Sequence, residues 1–268
     1  MLILSLVVIS LVITALITAG SFVFWKALLV FALTYVLVNI VYVGLCLATC
    51  HLVRDTEKPI EAEKPICRFA AITVFGLLCA YLGLDISVRG REKLPVDKNF
   101  LLVSNHVSGF DPVVIMNRLN ANKVCCIAKP SIMRLPCIGR IAYGMGCLGI
   151  DRENDRNALK TIITAANYLK KGVCNICIFP EGTRSRSGGM LPFHAGSFKI
   201  AQRSGAELVI ASIKGTERIT KNVPLRRTKV ELEILETLPG DKVKAMSSQE
   251  LAEYSAALIA KSLQEVEA

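Results

Sequence analysis

His106 and Asp111 stand five positions apart in Ser104-Asn105-His106-Val107-Ser108-Gly109-Phe110-Asp111-Pro112, directly after the apolar run Phe100 to Val103. An imidazole beside a carboxylate can take a proton from a hydroxyl, the carboxylate fixing the tautomer and supporting the charge the ring acquires. On a regular helix this spacing would turn the two side chains about 140° apart, so a turn must bring them together. Ser108 and Gly109 supply turn chemistry. Asp111 before Pro112 reads as an N-cap opening the helical segment Val113 to Leu119. The competing reading is that Asp111 only caps a helix and His106 only packs.

A second segment, Phe179-Pro180-Glu181-Gly182-Thr183-Arg184-Ser185, follows Val173 to Ile178, a β-branched, apolar run that reads as a buried strand. Gly182 permits close backbone approach, and Thr183, Arg184 and Ser185 offer hydroxyls and a planar fork suited to phosphate oxygens. Taken alone, the segment is equally compatible with a solvated turn.

Together the two segments resemble the N-H-x-x-x-x-D and F-P-E-G-T-R blocks of the glycerolipid acyltransferase family, most nearly its 1-acylglycerol-3-phosphate acyltransferases. The resemblance covers roughly residues 85 to 220. It implies that His106 is the general base and Asp111 its orienting partner. A lysolipid hydroxyl would attack an acyl thioester directly, without an acyl-enzyme, so Ser108 would not be a nucleophile. The hydrolase elbow G-x-S-x-G is absent from the sequence. The resemblance further implies acceptor binding by Arg152, Glu181, Gly182, Thr183 and Arg184, Arg152 ending a block that begins at Gly146; structural ion pairs of Asp151 and Glu181 with the arginines are the alternative. The implied acceptor is 1-acylglycerol 3-phosphate (lysophosphatidic acid) and the product phosphatidic acid. The co-substrate would be an acyl-carrier-protein or coenzyme A thioester, with no metal or organic cofactor. Two departures bear on the acceptor: His194 stands where the family often has lysine, and the strand Leu208 to Ile213 lacks the family's proline. Another lysolipid acceptor, or noncatalytic binding of anionic lipid, are the alternatives.

The elements that must hold these residues begin with a membrane anchor. Of the 268 residues 52% are hydrophobic, the mean hydropathy is +0.47, and Lys26 is the only charged side chain before Arg54. Residues 2 to 24 and Ala27 to His51 are each long enough to cross a bilayer, which takes about 20 helical residues. They read as a helical hairpin over residues 1–53, with a signal peptide or a pair embedded in one leaflet as rivals. Arg54, Lys58, Lys64 and Arg68 flank its exit, against Lys26 in the connection, which places the remainder on the cytoplasmic side. Residues 54–84 form a charged linker and a short apolar segment that lies in the interface or packs under the next domain, and residues 85–268 form the catalytic domain. There strands and helices alternate, predicting an α/β fold with a mixed sheet flanked by helices.

The net charge is +10, and no acidic residue falls between Asp111 and Asp151, a stretch carrying Arg118, Lys123, Lys129, Arg134 and Arg140. Such a surface attracts anionic headgroups, phosphate-bearing substrates or an acidic carrier; no nucleic-acid-binding motif accompanies it. The apolar and basic residues of 130–146 read as a segment at the bilayer surface or as a helix-and-loop part of the core. The ten cysteines lie in apolar runs and read as buried free thiols. Cys174 and Cys177 have metal-ligand spacing but no second pair to complete a site.

Overall fold

The computed structural model describes residues 2–18, 24–53, 55–56, 58–151, 153–185 and 189–264. Helices α1 (Leu2–Thr18) and α2 (Phe24–Ala48) form the expected hairpin. Leu6, Ser10, Thr14 and Thr18 recur every fourth residue and make the buried stripe of α1. The Ser10, Thr14 and Thr18 hydroxyls donate to carbonyls one turn back, and the Thr14 hydroxyl lies 3.2 Å from that of Thr34 on α2. Small residues let the helices approach, leaving the apolar side chains facing outward. With its 3-10 extension, α2 runs from Phe24 to Leu52, one helix long and apolar enough to cross a membrane. The 17 described residues of α1 reach about 26 Å.

Helix α3 (Pro65–Tyr81) takes the second arrangement foreseen for its segment. Its inner face, with Cys67 and Ala71, enters the core that contains the sheet. The packing against the later helix α6 (Ile138–Met145) is close, because a Cβ on Gly144 would stand 2.8 Å from the Cys67 sulfur.

The sheet has seven strands: β1 (Leu84–Arg89), β2 (Phe100–Ser104), β3 (Val124–Ala128), β4 (Leu148–Gly149), β5 (Asn175–Ile178), β6 (Glu207–Lys214) and β7 (Thr228–Leu238). Their order is β1-β7-β6-β2-β5-β3-β4. Every pairing is parallel except that of β6 with β7, so the sheet is mixed, as expected. The central β2 is buried along its whole length, the pattern of a parallel strand covered on both faces.

The remaining helices are α4 (Asp111–Arg118), α5 (Pro130–Met133), α7 (Asp155–Lys171), α8 (Lys199–Ser204), α9 (Ile219–Asn222), α10 (Gly240–Ala245) and α11 (Ser248–Gln264). Asn154 caps α7 by accepting from the Asn157 N–H at 3.1 Å, and Gly172, in the left-handed conformation, ends it. At α11, Ser247 and Glu250 form the reciprocal capping box that their spacing predicts. All ten cysteines are free; nine are buried, and Cys137, in the turn between α5 and α6, is half-buried.

Candidate active site

In the sheet order, β6, β2 and β5 are neighbours, and the loops leaving their C-terminal ends converge. In parallel sheets ligands bind at such edges. The loop after β2 carries His106, the loop after β5 carries Glu181 to Ser185, and the turn after β6 carries Thr216. Asn105 ties the first to the third: its amide donates to the Ile213 carbonyl and its oxygen accepts from the Ile213 N–H, both at 2.9 Å.

His106 Nδ1 lies 2.8 Å from Asp111 Oδ2, so the predicted pair meets. The same oxygen accepts from the N–H groups of Val107 and Ser108, each at 2.8 Å, and the Thr216 hydroxyl donates to Oδ1. Asp111 is 0% exposed. Its position corrects one expectation: Asp111 is the first residue of α4, with Pro112 second. Its carboxylate turns back onto the preceding loop instead of capping the helix, because the loop amides and the imidazole supply all the donors it accepts on that side.

The His106 side chain is 18% exposed. Phe179 stacks on its ring at 4.2 Å between centroids, 21° from parallel. With Nδ1–H donating to Asp111, the neutral ring carries its lone pair on Nε2, the form a general base needs. Ser108, by contrast, accepts from the Phe110 N–H at 3.3 Å.

Glu181, which the resemblance assigns to acceptor binding, has both carboxylate oxygens engaged by backbone N–H groups of the protein. It is 3% exposed. Oε1 accepts from the His106 N–H at 2.6 Å and Oε2 from the Leu191 N–H at 2.9 Å. It is also not an ion-pair partner of the arginines in the described structure; its carboxylate staples the two loops together. Burial pushes its carboxyl above the usual range, and the Leu191 and His106 N–H groups pull in the other direction. The Ser185 N–H adds a third tie, donating to the His106 carbonyl at 2.9 Å.

Gly182 adopts φ 82°, which favours glycine at this turn. Thr183 and Arg184 follow it and are exposed. A Cβ placed on Gly109 would stand 3.7 Å from Arg184 Nη1, so the guanidinium overhangs the His106–Asp111 loop. Arg152 lies outside the described residues. Sequence reasoning missed Thr216 and the stacking of Phe179; the only local signal for Thr216 is the glycine before it.

The family model described as Acyltransferase matches residues 85–214. The 1-acyl-sn-glycerol-3-phosphate acyltransferase of Salmonella typhimurium is 32% identical over 183 residues, covering 68% of this chain and 73% of that one. The chain belongs to this acyltransferase family. The Escherichia coli enzyme of the same name is 31% identical over the same shares. The human alpha form is 32% identical over 47% of this chain and 44% of its own. A crystal structure of the 1-acyl-sn-glycerophosphate (LPA) acyltransferase from Thermotoga maritima superposes with a TM-score of 0.64 at 28% identity. It covers 87% of this acyltransferase and 92% of that chain. The likeness therefore takes in much of the N-terminal helical region as well as the α/β sheet.

Proposed function

We propose that the protein is a membrane-bound 1-acylglycerol-3-phosphate acyltransferase that makes phosphatidic acid. The observation that carries this reading is the buried Asp111 carboxylate held 2.8 Å from Nδ1 of a partly exposed His106. Nε2 takes the proton from the second-position hydroxyl as its oxygen attacks the thioester carbonyl. The tetrahedral adduct collapses, the carbon–sulfur bond breaks, and the thiolate leaves as the free thiol with the proton returned by the imidazolium. Asp111 stabilises the charged ring between these steps. The ester oxygen comes from the acceptor and no group of the protein is acylated, so the scheme requires no metal or organic cofactor. The donor is acyl-carrier protein or coenzyme A thioester.

The acceptor phosphate is assigned to the Gly182 turn, Thr183 and Arg184, with Arg152 as a further cation. Arg184→Ala should raise the acceptor KM roughly tenfold while leaving kcat within a few fold, the pattern expected when a charge-assisted contact made equally in ground and transition states is removed. Steady-state kinetics in lipid check it; a loss confined to kcat would move Arg184 from binding to chemistry.

An apolar cavity of about 90 Å³ lies among α2, α3, α4 and α6, lined by residues including Cys46, Phe75, Met116 and Met145. We assign it to part of an acyl chain, since α4 links it directly to Asp111. Membrane attachment rests on the exposed apolar surfaces of α1 and α2. A second contact comes from α5 and α6, where Ile132, Leu135 and Ile138 are exposed among Lys129, Arg134 and Arg140. Lys58, Lys64 and Arg68 beyond α2 favour a catalytic domain on the cytoplasmic side.

The deciding experiment is acyl transfer by the purified protein in lipid, comparing lysophosphatidic acid with other lysolipids and both thioester donors. Preference for lysophosphatidic acid supports the phosphate assignment. Transfer to another acceptor would keep the His106–Asp111 chemistry and reassign the Arg184 region.

A further inference from the structure

Asp111 must present one particular oxygen to His106. A carboxylate can pivot about its Cβ–Cγ bond, and a pivot would exchange the oxygen that faces the imidazole. Three donors gather on Oδ2: His106 Nδ1 and the N–H groups of Val107 and Ser108. On Oδ1 the described donor is the hydroxyl of Thr216, 105 residues further along the chain. Both residues are buried, Thr216 being 1% exposed.

The fold delivers this hydroxyl with little freedom. Strand β6 pairs with β2 through Ser104 and Ala211, and Asn105 clamps Ile213, so the start of the His106 loop and the end of β6 move together. Gly215 then turns the chain at φ 87°, and a Cβ there would stand 2.1 Å from the Lys229 carbonyl oxygen. Only glycine permits that approach to β7, and Thr216 is the next residue. Thr216 also lies beyond the matched residues 85–214.

We propose that Thr216 is a positioning residue for catalysis: by donating to Asp111 Oδ1 it locks the carboxylate so that Oδ2 holds the His106 ring with Nε2 toward the acceptor. This rests on the proposed roles of His106 and Asp111. Other charged groups near the pair are Glu181, which is fixed by two backbone N–H groups, and Arg184, which overhangs Gly109. Neither donates to Oδ1 among the described contacts. Without the hydroxyl, a buried carboxylate oxygen loses its described donor, and the orientation of the carboxylate rests on the contacts to Oδ2 alone.

The test uses the full-length enzyme in lipid, with Thr216→Val, Thr216→Ser and His106→Ala. Thr216→Val should lower kcat roughly tenfold to a hundredfold, less than the loss of the general base itself, which costs about a hundredfold or more, with the acceptor KM changed less than about twofold. Thr216→Ser, which keeps the donor, should restore most of the activity. The downfield proton resonance of His106 Nδ1–H, identified by its loss in His106→Ala, should shift in Thr216→Val and keep its position in Thr216→Ser. If valine unfolds the protein, Thr216→Ala, which puts no methyl group against the carboxylate, is read in its place. Wild-type kcat without the hydroxyl, a loss confined to KM, or an unshifted resonance would overturn the proposal. Full activity in His106→Ala would instead overturn the base assignment, while the resonance would still report whether Thr216 orders the pair.

Discussion

Replacing His106 with alanine should lower kcat at least about a hundredfold, the scale of losing a positioned general base. The protein should stay folded and in the membrane fraction. The ring is one partner of a stack with Phe179 and one of three donors to Asp111 Oδ2. Without it the Val107 and Ser108 N–H groups still satisfy that oxygen and Thr216 still satisfies the other, so no buried charge is stranded. The loop also keeps its backbone ties, since Glu181 holds the His106 N–H and Ser185 the His106 carbonyl, neither of which depends on the side chain. Turnover with saturating donor and acceptor, alongside far-ultraviolet circular dichroism, checks both halves. Unimpaired turnover would remove His106 from the mechanism.

Glu181→Ala should be damaging in a different way, lowering stability and turnover together. It strands the N–H groups of His106 and Leu191, each a loss of about 1–3 kcal/mol when buried without an acceptor. It also releases the loop that carries the base. Glu181→Gln is the gentler variant, keeping one acceptor oxygen while setting an amide N–H₂ where the second N–H donates. The pH dependence carries a definite sign. Burial raises the Glu181 carboxyl above its ordinary value of 4.5, so the folded protein binds this proton more tightly than the unfolded chain. Its stabilising contribution is fully present below 4.5 and is lost as pH rises through the raised value. Glu181→Gln abolishes that titration, so the stability of the wild type relative to this variant should decline as pH climbs through that window. Denaturant unfolding of both proteins across the acidic range measures it. Parallel curves would show that Glu181 does not titrate as its burial dictates.

The division between what could and could not be read from sequence follows from what each contact is made of. His106 and Asp111 were legible because a strand, a Ser-Gly turn and a proline follow one another between Phe100 and Pro112, and both partners are side chains with one chemistry in common. The periodicity of residues 154–171 and the glycine that follows them mark α7 in the sequence, and the Ser247–Glu250 spacing marks the start of α11, whereas the Asn154 cap is seen only in the structure. Glu181 stands in the loop its motif marks, but its hydrogen-bond partners are not legible in the sequence, because they are backbone N–H groups, which every residue but proline possesses. Thr216 was invisible, since one threonine after one glycine marks nothing until β6 and β2 are known to be adjacent.

The distribution of thiols makes this protein a natural labelling clock. In the folded state a reagent that attacks sulfur meets one half-buried cysteine, Cys137, and nine buried ones. Labelling should therefore proceed in two stages, one equivalent promptly and the rest at the rate at which the interior opens. Because Cys137 sits beside the exposed Ile138 at the turn into α6, slowing of the first stage by vesicles would report how closely that turn approaches the lipid. The second stage would time the opening of the interior, helical region and sheet together, in the same sample, with no substitution made.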